Sequence, residues 1–267
     1  MWTLEETEKL KETYPNSLWE DILRSFPHKE KSAIQTKAKR LKLRRSRRLG
    51  QYCRYYYDRD FFSVPTLLNS YWAGMLGADG CLVLEEKYGR GSTAQVRLSL
   101  TNDYDHVNQF RLDIGYDKEV STKEDVHEIC ITSAWKYIED LKENFNLIPN
   151  KTKVLIPPSL NEENSIAYII GYIDGDGSIF QGHNKYRDGR DRYVPALSVA
   201  GTEEVLKWIQ KHLDFDNKIS FERGIYHTKI QGTRALSLIR TLREIDVPKL
   251  SRKWNAPWLV EMLNASN

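Results

Sequence analysis

The stretch YIIGYIDGDG occupies residues 168–177, and a second copy of its pattern, YWAGMLGADG, occupies residues 71–80. Shorter matches follow at a similar spacing, including LSL at 98–100 with LSV at 197–199. An isolated Asp-Gly dipeptide is common in proteins, whereas a second copy inside an aligned repeat is not. The chain therefore contains two copies of one structural unit.

Small residues recur in both copies at a spacing of four, as Gly74 and Ala78 in the first and as Gly171 and Gly175 in the second. Small side chains at this spacing let two helix backbones approach closely. We therefore predict that each copy is a helix and that the two helices pack against each other about a pseudo-twofold axis. The glycines at 80 and 177 are expected to turn the chain sharply into the sheet that follows.

The same order of elements follows each motif. The patterns indicate strands at 82–84, 96–100 and 126–132 and helices at 104–114 and 135–145 in the first copy, and strands at 178–180, 196–199 and 227–231 and helices at 203–213 and 234–245 in the second. This order is typical of an α+β fold with antiparallel sheets. We predict repeats at 66–155 and 156–267, a linker at 49–65 and a separate small domain at 1–48.

Two acids, Asp79 and Asp176, precede the final glycine of the two motifs. If the helices pack as predicted, the two carboxylates lie side by side and repel each other, so that one retains a proton unless a cation lies between them. Mg²⁺ prefers carboxylate, water and phosphate oxygens, and paired metal ions can polarise a phosphodiester and stabilise its leaving oxygen. The acids therefore predict metal-assisted chemistry on a phosphodiester.

The repeated motif and its terminal acids resemble the LAGLIDADG homing endonucleases over about residues 66–258. Copy two, IIGYIDGDG, matches closely, whereas copy one, WAGMLGADG, departs at Gly77, where the family often has an aspartate. The resemblance implies two pseudo-symmetric αββαββα repeats that form a saddle of antiparallel sheets. It also implies Asp79 and Asp176 as catalytic acids and ligands of Mg²⁺, for which Mn²⁺ can substitute, and leaves a backbone ligand near Ala78 unassigned.

The resemblance further implies a basic residue near the end of each repeat, beside the scissile phosphates. In the first repeat the sequence IPNKTK at 148–153 points to Lys151, and in the second VPKLSRK at 247–253 points to Lys253, with Lys249 as the alternative. Such a lysine would stabilise charge on the phosphate or orient a water molecule.

Residues 1–48 form a separate basic segment, with 13 Lys/Arg against 7 Asp/Glu, while the rest of the chain carries a net charge of −3. Apolar residues fall into three short helical stretches, with a capping box of Thr3 and Glu6 and breaks at 15–17 and 27–28. The third stretch begins near residue 32. The spaced tryptophans Trp2 and Trp19 resemble Myb/SANT-like helix-turn-helix domains, in which a third tryptophan stands where this chain has an aliphatic residue. DNA binding is predicted, and a protein-binding SANT-like module is the alternative.

The predicted DNA contacts lie on the polar face of the third helix, in the arginine-rich stretch after it and on strands of both repeats. They are Gln35, Lys37, Lys39, Arg40, Lys42, Arg44, Arg45, Arg47, Arg48, Arg97, Arg187 and Arg192. Further candidates on the strands are Gln95, Lys185, Arg190, Arg223 and Lys229, with Ser99 and Ser198 as residues that could order water. The aromatic residues of the linker are expected to pack on the following domain, with stacking on bases as the alternative.

The composition excludes several other classes. With 40% hydrophobic and 29% charged residues the chain is expected to be soluble and globular. It has no run of about 18 apolar residues and no cationic leader, so we expect an intracellular protein without a secretion signal, in the cytoplasm of a bacterial or phage-infected cell, in an organelle or in the nucleus. An EF-hand starting at Asp174 fails, because Ile179 replaces its glycine and Lys185 its bidentate glutamate.

We therefore predict a site-specific double-strand DNA endonuclease associated with a mobile intron. It is expected to act on double-stranded DNA as a monomer whose two repeats form a pseudo-dimer, without a membrane. An RNA-binding intron maturase and a DNA-binding regulator that has lost cleavage are the alternatives on the same fold. The intact acids favour the nuclease over the regulator, and the basic N-terminal segment favours it over the maturase.

Overall fold

The computed structural model describes residues 2–17, 19–43, 55–85, 93–185 and 191–265. The predicted DNA contacts Arg44, Arg45, Arg47, Arg48 and Arg187 lie outside these residues, as do Arg190 and the side chains of Lys185 and Arg192. The chain folds into two compact units, of which the first comprises Met1–Arg54 with Glu85–Thr93 and the second comprises Tyr55–Leu84 with Ala94–Asn267. None of the described helices is long and apolar enough to cross a membrane.

The described residues of the first unit contain three helices, as the apolar spacing predicts. They are α1 (Leu4–Asn16), α2 (Trp19–Ser25) and α3 (Lys31–Arg40). The capping box at the start of α1 is confirmed, because the Glu6 backbone N–H donates to the Thr3 hydroxyl at 3.1 Å and the Thr3 backbone N–H donates to the Glu6 carboxylate at 2.8 Å. The predicted break at 15–17 lies about two residues later than predicted, since α1 continues through Pro15 to Asn16 and α2 begins at Trp19. Pro15 has no N–H to donate within the helix, and the helix ends one residue after it.

A small apolar core joins these three helices. Leu10, Ile22, Phe26 and Ile34 are buried, and Trp2 and Trp19 pack against them. On α3 the buried residues are Ile34 and Ala38, so the opposite face of the helix points to solvent. The unit thus has the helical arrangement and the polar α3 face that the sequence predicts.

The second unit contains two repeats of αββαββα order. The first is α4 (Leu67–Ala78), β1 (Cys81–Glu85), β2 (Thr93–Thr101), α5 (Tyr104–Asp113), β3 (Ser121–Lys123), β4 (Val126–Thr132) and α6 (Trp135–Phe145), and the second is α7 (Glu162–Asp176), β5 (Gly177–Lys185), β6 (Asp191–Gly201), α8 (Glu203–His212), β7 (Ser220–Glu222), β8 (Ile225–Gln231) and α9 (Thr233–Glu244). A 3-10 turn (Lys151–Lys153) follows the first repeat, and α10 (Ser251–Trp254) and α11 (Pro257–Ala265) follow the second.

Each repeat has one four-stranded sheet, with the orders β1-β2-β4-β3 and β5-β6-β8-β7. The paired strands with a described register are antiparallel. The predicted α+β class is confirmed. The strand patterns missed β3 and β7, because each has three residues and none of them is buried. Arg223 is a correction to its predicted strand position, since it lies with Gly224 in the turn between β7 and β8 and both have positive φ, as a tight hairpin turn requires.

The helices α4 and α7 are in direct backbone contact. A Cβ atom built on Gly74 would lie 2.0 Å from the carbonyl oxygen of Tyr168, and one built on Gly171 would lie 1.9 Å from that of Tyr71. Both distances are far below van der Waals contact, so only glycine fits at either position. The predicted pairing of the two motif helices is confirmed, and the contact is reciprocal between the repeats.

The aromatic residues before α4 belong to the core of the second unit. Tyr57 and Phe62 are buried. The rings of both contact Tyr137 on α6, with centroids 4.9 Å and 5.0 Å away, and Phe62 also contacts Phe145. The packing interpretation is confirmed for these two residues, whereas Tyr56 remains 67% exposed.

Candidate active site at the ends of the paired helices

The two predicted acids lie at the ends of α4 and α7. Asp79 follows the last residue of α4 and keeps a helical backbone conformation, with its N–H donating to the Met75 carbonyl, while Asp176 is the last residue of α7. A Cβ atom built on Gly175 would lie 2.2 Å from that of Ala78. Close contact of the helices therefore extends to the residues just before the acids.

The glycines after the acids are required for a different reason from the one predicted. Neither Gly80 nor Gly177 has a positive φ. A Cβ atom at Gly80 would lie 2.6 Å from the Leu76 carbonyl oxygen, and one at Gly177 would lie 2.5 Å from that of Ile173. Glycine thus lets each strand leave directly against the last turn of its own helix, which keeps the acids at the start of the sheets.

The surroundings raise the pKa of both acids. The pKa of Asp176 is raised to about 6, first by desolvation and then by the charge of Asp79, against the opposing effect of Lys151. Desolvation also raises the pKa of Asp79, and Lys253 and Lys151 oppose it. Both side chains nevertheless reach solvent. The pair is therefore accessible, and the charge of Asp79 raises the pKa of Asp176.

The predicted basic residues Lys151 and Lys253 are 7% and 8% exposed. The Lys151 ammonium donates to the Gly80 carbonyl. The Lys253 ammonium donates to the carbonyls of Ile173 at 3.0 Å and Gly177 at 2.7 Å, and also to those of Asp174 and Gly175. Desolvation lowers the pKa of both lysines. Each ammonium is thus fixed beside the motif of its own repeat.

The structure distinguishes between the two candidate lysines of the second repeat. Lys249 donates to the carbonyls of Ile245 and Val247, within its own loop. Lys253 donates instead to the end of α7, next to the acids. Of the two, Lys253 therefore occupies the position that the resemblance implies for a basic residue.

Each of the two lysines acts on the acid of the other repeat. Lys253 is the strongest of the cations that lower the pKa of Asp79, and Lys151 is the first cation that lowers the pKa of Asp176. The positive charge of each lysine therefore lowers the pKa of the acid in the other repeat. The four residues form one continuous site rather than two separate ones.

Several neighbours of this site were not predicted. Asp174 is fully buried and accepts hydrogen bonds from Tyr71, Trp254 and the Leu250 backbone. His106 contacts the Tyr71 hydroxyl at 2.8 Å, and Arg252 pairs with Asp103 at 2.9 Å. The motif IDGDG contains Asp174 and so offered a signal for it. The partners of Asp174 lie far away in sequence, and so does Asp103, the partner of Arg252. No local pattern in the sequence indicated these contacts.

The donor atoms at the site fit a hard divalent cation. Within the described parts of the chain, no group of three or more His, Cys, Asp and Glu side chains is arranged to hold a metal ion. Asp79 and Asp176 are the carboxylates of this site that could hold such an ion. Mg²⁺ commonly uses one or two carboxylates and completes its shell with water and phosphate oxygens, so two accessible acids are a suitable set of protein ligands for it.

The candidate DNA contacts on β2 share one face of its sheet. Residues 94, 96, 98 and 100 are buried, and the alternating positions, including Gln95, Arg97 and Ser99, point to the other face. Arg97 contacts Glu128 at 3.4 Å and Gln95 at 3.5 Å. In the second repeat, Ser198 is aligned with Ser178 and Lys229 across three strands. Ser198 thus lies opposite Ser178, two residues after Asp176.

The candidate contacts on the first unit are solvent-facing. Gln35, Lys39, Arg40 and Lys42 are exposed, whereas Lys37 is half-buried with its ammonium 5.9 Å from the centre of the Trp2 ring. Four of these five side chains are therefore free of the core and lie on or next to α3.

No model of a known protein family matches the sequence, and no curated protein matches it either. The fold of the chain is similar to that of several solved structures. They include meganuclease I-SmaMI bound to uncleaveable DNA (11% identity, TM-score 0.53, covering 74% of this chain and 97% of that chain), LAGLIDADG meganuclease I-CpaMI bound to uncleaved DNA (10%, 0.56, 74% and 91%) and the I-LtrWI LAGLIDADG homing endonuclease bound to target DNA (10%, 0.53, 78% and 91%). The second unit of this chain therefore has the two-repeat fold of the single-chain LAGLIDADG homing endonucleases.

Proposed function

We propose that the chain is a site-specific DNA endonuclease that hydrolyses one phosphodiester in each strand of a long asymmetric target. The observation that carries this proposal is the meeting of Asp79, Asp176, Lys151 and Lys253 at the ends of two helices in backbone contact. The similar solved structures are bound to DNA, which supports DNA as the partner. Because the two repeats differ in sequence, the proposed target is asymmetric.

The two acids and the two lysines have different roles in this proposal. Asp79 and Asp176 would hold Mg²⁺, or Mn²⁺ in its place, which when bound supplies a Lewis acid for the phosphate and lowers the pKa of its bound water. The buried ammonium groups of Lys151 and Lys253 would stabilise the negative charge that develops on the phosphate. Since these groups are already desolvated and fixed by carbonyl contacts, they need little rearrangement when the charge appears.

The proposal is tested by selecting cleavable sites from a randomised duplex DNA library in the presence of Mg²⁺. We expect recovery of one long asymmetric site that is cut in both strands with Mg²⁺ or Mn²⁺. Chelation with EDTA should abolish cutting of that site, and added Mg²⁺ should restore it. Binding of a defined site without cutting would refute the nuclease and favour a regulator. Preference for folded RNA over every DNA sequence would favour a maturase.

We further propose that the first unit binds DNA as a Myb/SANT-like module and adds salt-sensitive affinity. Lys39, Arg40 and Lys42 are exposed cations on or beside α3. Replacing all three with glutamine should flatten the slope of log affinity against log salt by about 0.9 for each phosphate contact that is lost. The slope is measured by titrating the selected duplex at several salt concentrations.

A control removes two lysines, one fewer positive charge than the α3 variant, from α1 of the same unit. Lys9→Gln with Lys11→Gln lowers the positive charge on α1, whose two lysines are also exposed. This control should leave the salt slope nearly unchanged. Slope changes in proportion to the charges removed, three against two, would mean that α3 has no specific contact with DNA, and that the unit acts only through its net charge.

A further inference from the structure

Two buried tyrosines occupy equivalent positions in the paired helices. Tyr71 and Tyr168 are each fully buried, and the backbone carbonyl of each lies against the glycine of the other helix. The two residues begin the matched segments of the internal repeat. Any difference between the environments of their hydroxyl groups therefore reports a difference between the two halves of the site.

The two hydroxyl groups have different partners. The Tyr71 hydroxyl donates to the Asp174 carboxylate at 2.6 Å and lies 2.8 Å from Nε2 of His106. Because its hydrogen is committed to Asp174, the oxygen of Tyr71 is left to accept from the His106 ring. The Tyr168 hydroxyl is buried and has no hydrogen-bond partner within the described part of the chain.

The difference arises from one position of the motif. Asp174 in the second copy corresponds to Gly77 in the first. A Cβ atom built on Gly77 would lie 2.7 Å from the Tyr168 hydroxyl oxygen, so that this oxygen occupies the place where a side chain would begin. The first repeat thus lacks the carboxylate that the second repeat places beside its partner tyrosine.

Asp174 extends the contact to the segment that carries Lys253. Its carboxylate accepts from the Leu250 backbone N–H at 2.9 Å and from the Trp254 indole N–H at 2.6 Å. These two residues flank Lys253, whose ammonium is held against the end of α7. A chain of hydrogen bonds therefore runs from His106 through Tyr71 and Asp174 to both sides of Lys253.

We propose that His106, Tyr71 and Asp174 are positioning residues for Lys253 and that cleavage of one DNA strand depends on them while cleavage of the other does not. This inference rests on the proposed nuclease function. Within the described part of the chain, Lys151 has no equivalent carboxylate network, because glycine stands at position 77. The two halves of the site therefore differ in how they hold their lysines. Lys253 is fixed through a buried network, and Lys151 is fixed by a contact with the Gly80 carbonyl.

The experiment measures cleavage of each strand separately, on a duplex that carries the site recovered from the library and a different label on each strand. Lys253→Met first identifies the strand that depends on Lys253. Tyr71→Phe removes one hydroxyl from the network and should slow that same strand about tenfold through misplacement of the lysine. The other strand should keep its rate, and the loss should appear in kcat with KM for DNA unchanged.

Tyr168→Phe is the matched control. It removes the equivalent hydroxyl, which has no partner among the described residues, so both strands should be cut at the wild-type rate. His106→Gln keeps an N–H donor for Tyr71 and should retain most of the activity on the affected strand, whereas His106→Leu should not. Recovery by glutamine separates the hydrogen bond from simple packing.

Three results would overturn the inference. Equal slowing of both strands by Tyr71→Phe, or equal effects of Tyr71→Phe and Tyr168→Phe, would mean that these tyrosines act only through the packing of α4 on α7. Cutting by the wild type with no effect of Tyr71→Phe would refute the positioning network alone. Absence of cutting by the wild type would refute the proposed function itself, so the two failures are distinguishable.

Discussion

Replacing Asp176 with asparagine is expected to abolish double-strand cleavage, lowering its rate by about 10³-fold or more, while DNA affinity changes little. The amide keeps the size of the side chain but removes the negative charge that a divalent cation needs. Asp79→Asn should have the same effect, because both acids lie at one site. The measurement follows conversion of a supercoiled plasmid carrying the selected site into nicked and linear forms, and residual nicking would show that one strand is still cut.

The same substitution provides its own control for folding, measured as the free energy of unfolding without divalent metal. The pKa of Asp176 is about 6 in the folded chain and about 4 in an unfolded one. Between these values the folded state holds more protons, so wild-type stability falls as pH rises. Asp176→Asn removes this loss and should be more stable than wild type above pH 6, by about 1 kcal/mol after solvent screening of the exposed carboxylate. The difference should disappear below about pH 4.

These two results together separate chemistry from structure. A variant that is more stable at neutral pH and yet fails to cut has lost a functional group and not its fold. If Asp176→Asn cut both strands at the wild-type rate, the acids would not be the metal ligands and the proposed site would be wrong. If it unfolded, the view that the two carboxylates repel each other would be wrong.

The parts of this fold that the sequence predicts are those set by local spacing. Gly74 and Gly171 could be identified because helix contact demands small residues at fixed intervals, and the positions of Asp79 and Asp176 follow from that contact. The β2 strand was recognisable because its side chains alternate between a buried and an outward face. Such features depend on residues close together in the chain.

The remaining features depend on residues that only the folded chain brings together. Asp174 lies within the motif, but its partners Tyr71 and Trp254 are 103 and 80 residues away. The preference for Lys253 over Lys249 depends on which ammonium reaches the end of α7. Nearness to Pro248 in the sequence would have favoured Lys249 instead. Short exposed strands such as β7 carry no burial pattern at all.

The contact between α4 and α7 leads to the second large effect, which concerns stability. Gly171→Ala should destabilise the fold by about 3 kcal/mol or more, measured by urea unfolding of the full chain. In an ordinary helix interior the same change stabilises by about 0.5–1 kcal/mol, because alanine loses less backbone entropy on folding. Here the added methyl group would lie 1.9 Å from the Tyr71 carbonyl oxygen and 2.9 Å from the Met75 nitrogen. Both are backbone atoms, so no side-chain rotation relieves the overlap.

Whether Gly171→Ala lowers or raises the free energy of unfolding is therefore the test, and two other glycines provide comparisons. Gly74→Ala should be equally harmful, since its methyl group would meet the Tyr168 carbonyl oxygen at 2.0 Å. Gly182→Ala should be tolerated, because the nearest atoms lie 3.5 Å away. If Gly171→Ala stabilised the chain as helix propensity alone demands, the two helices would not be in backbone contact. The acids that follow the two helices would then have no structural reason to share one site, and the proposed catalytic arrangement would be wrong.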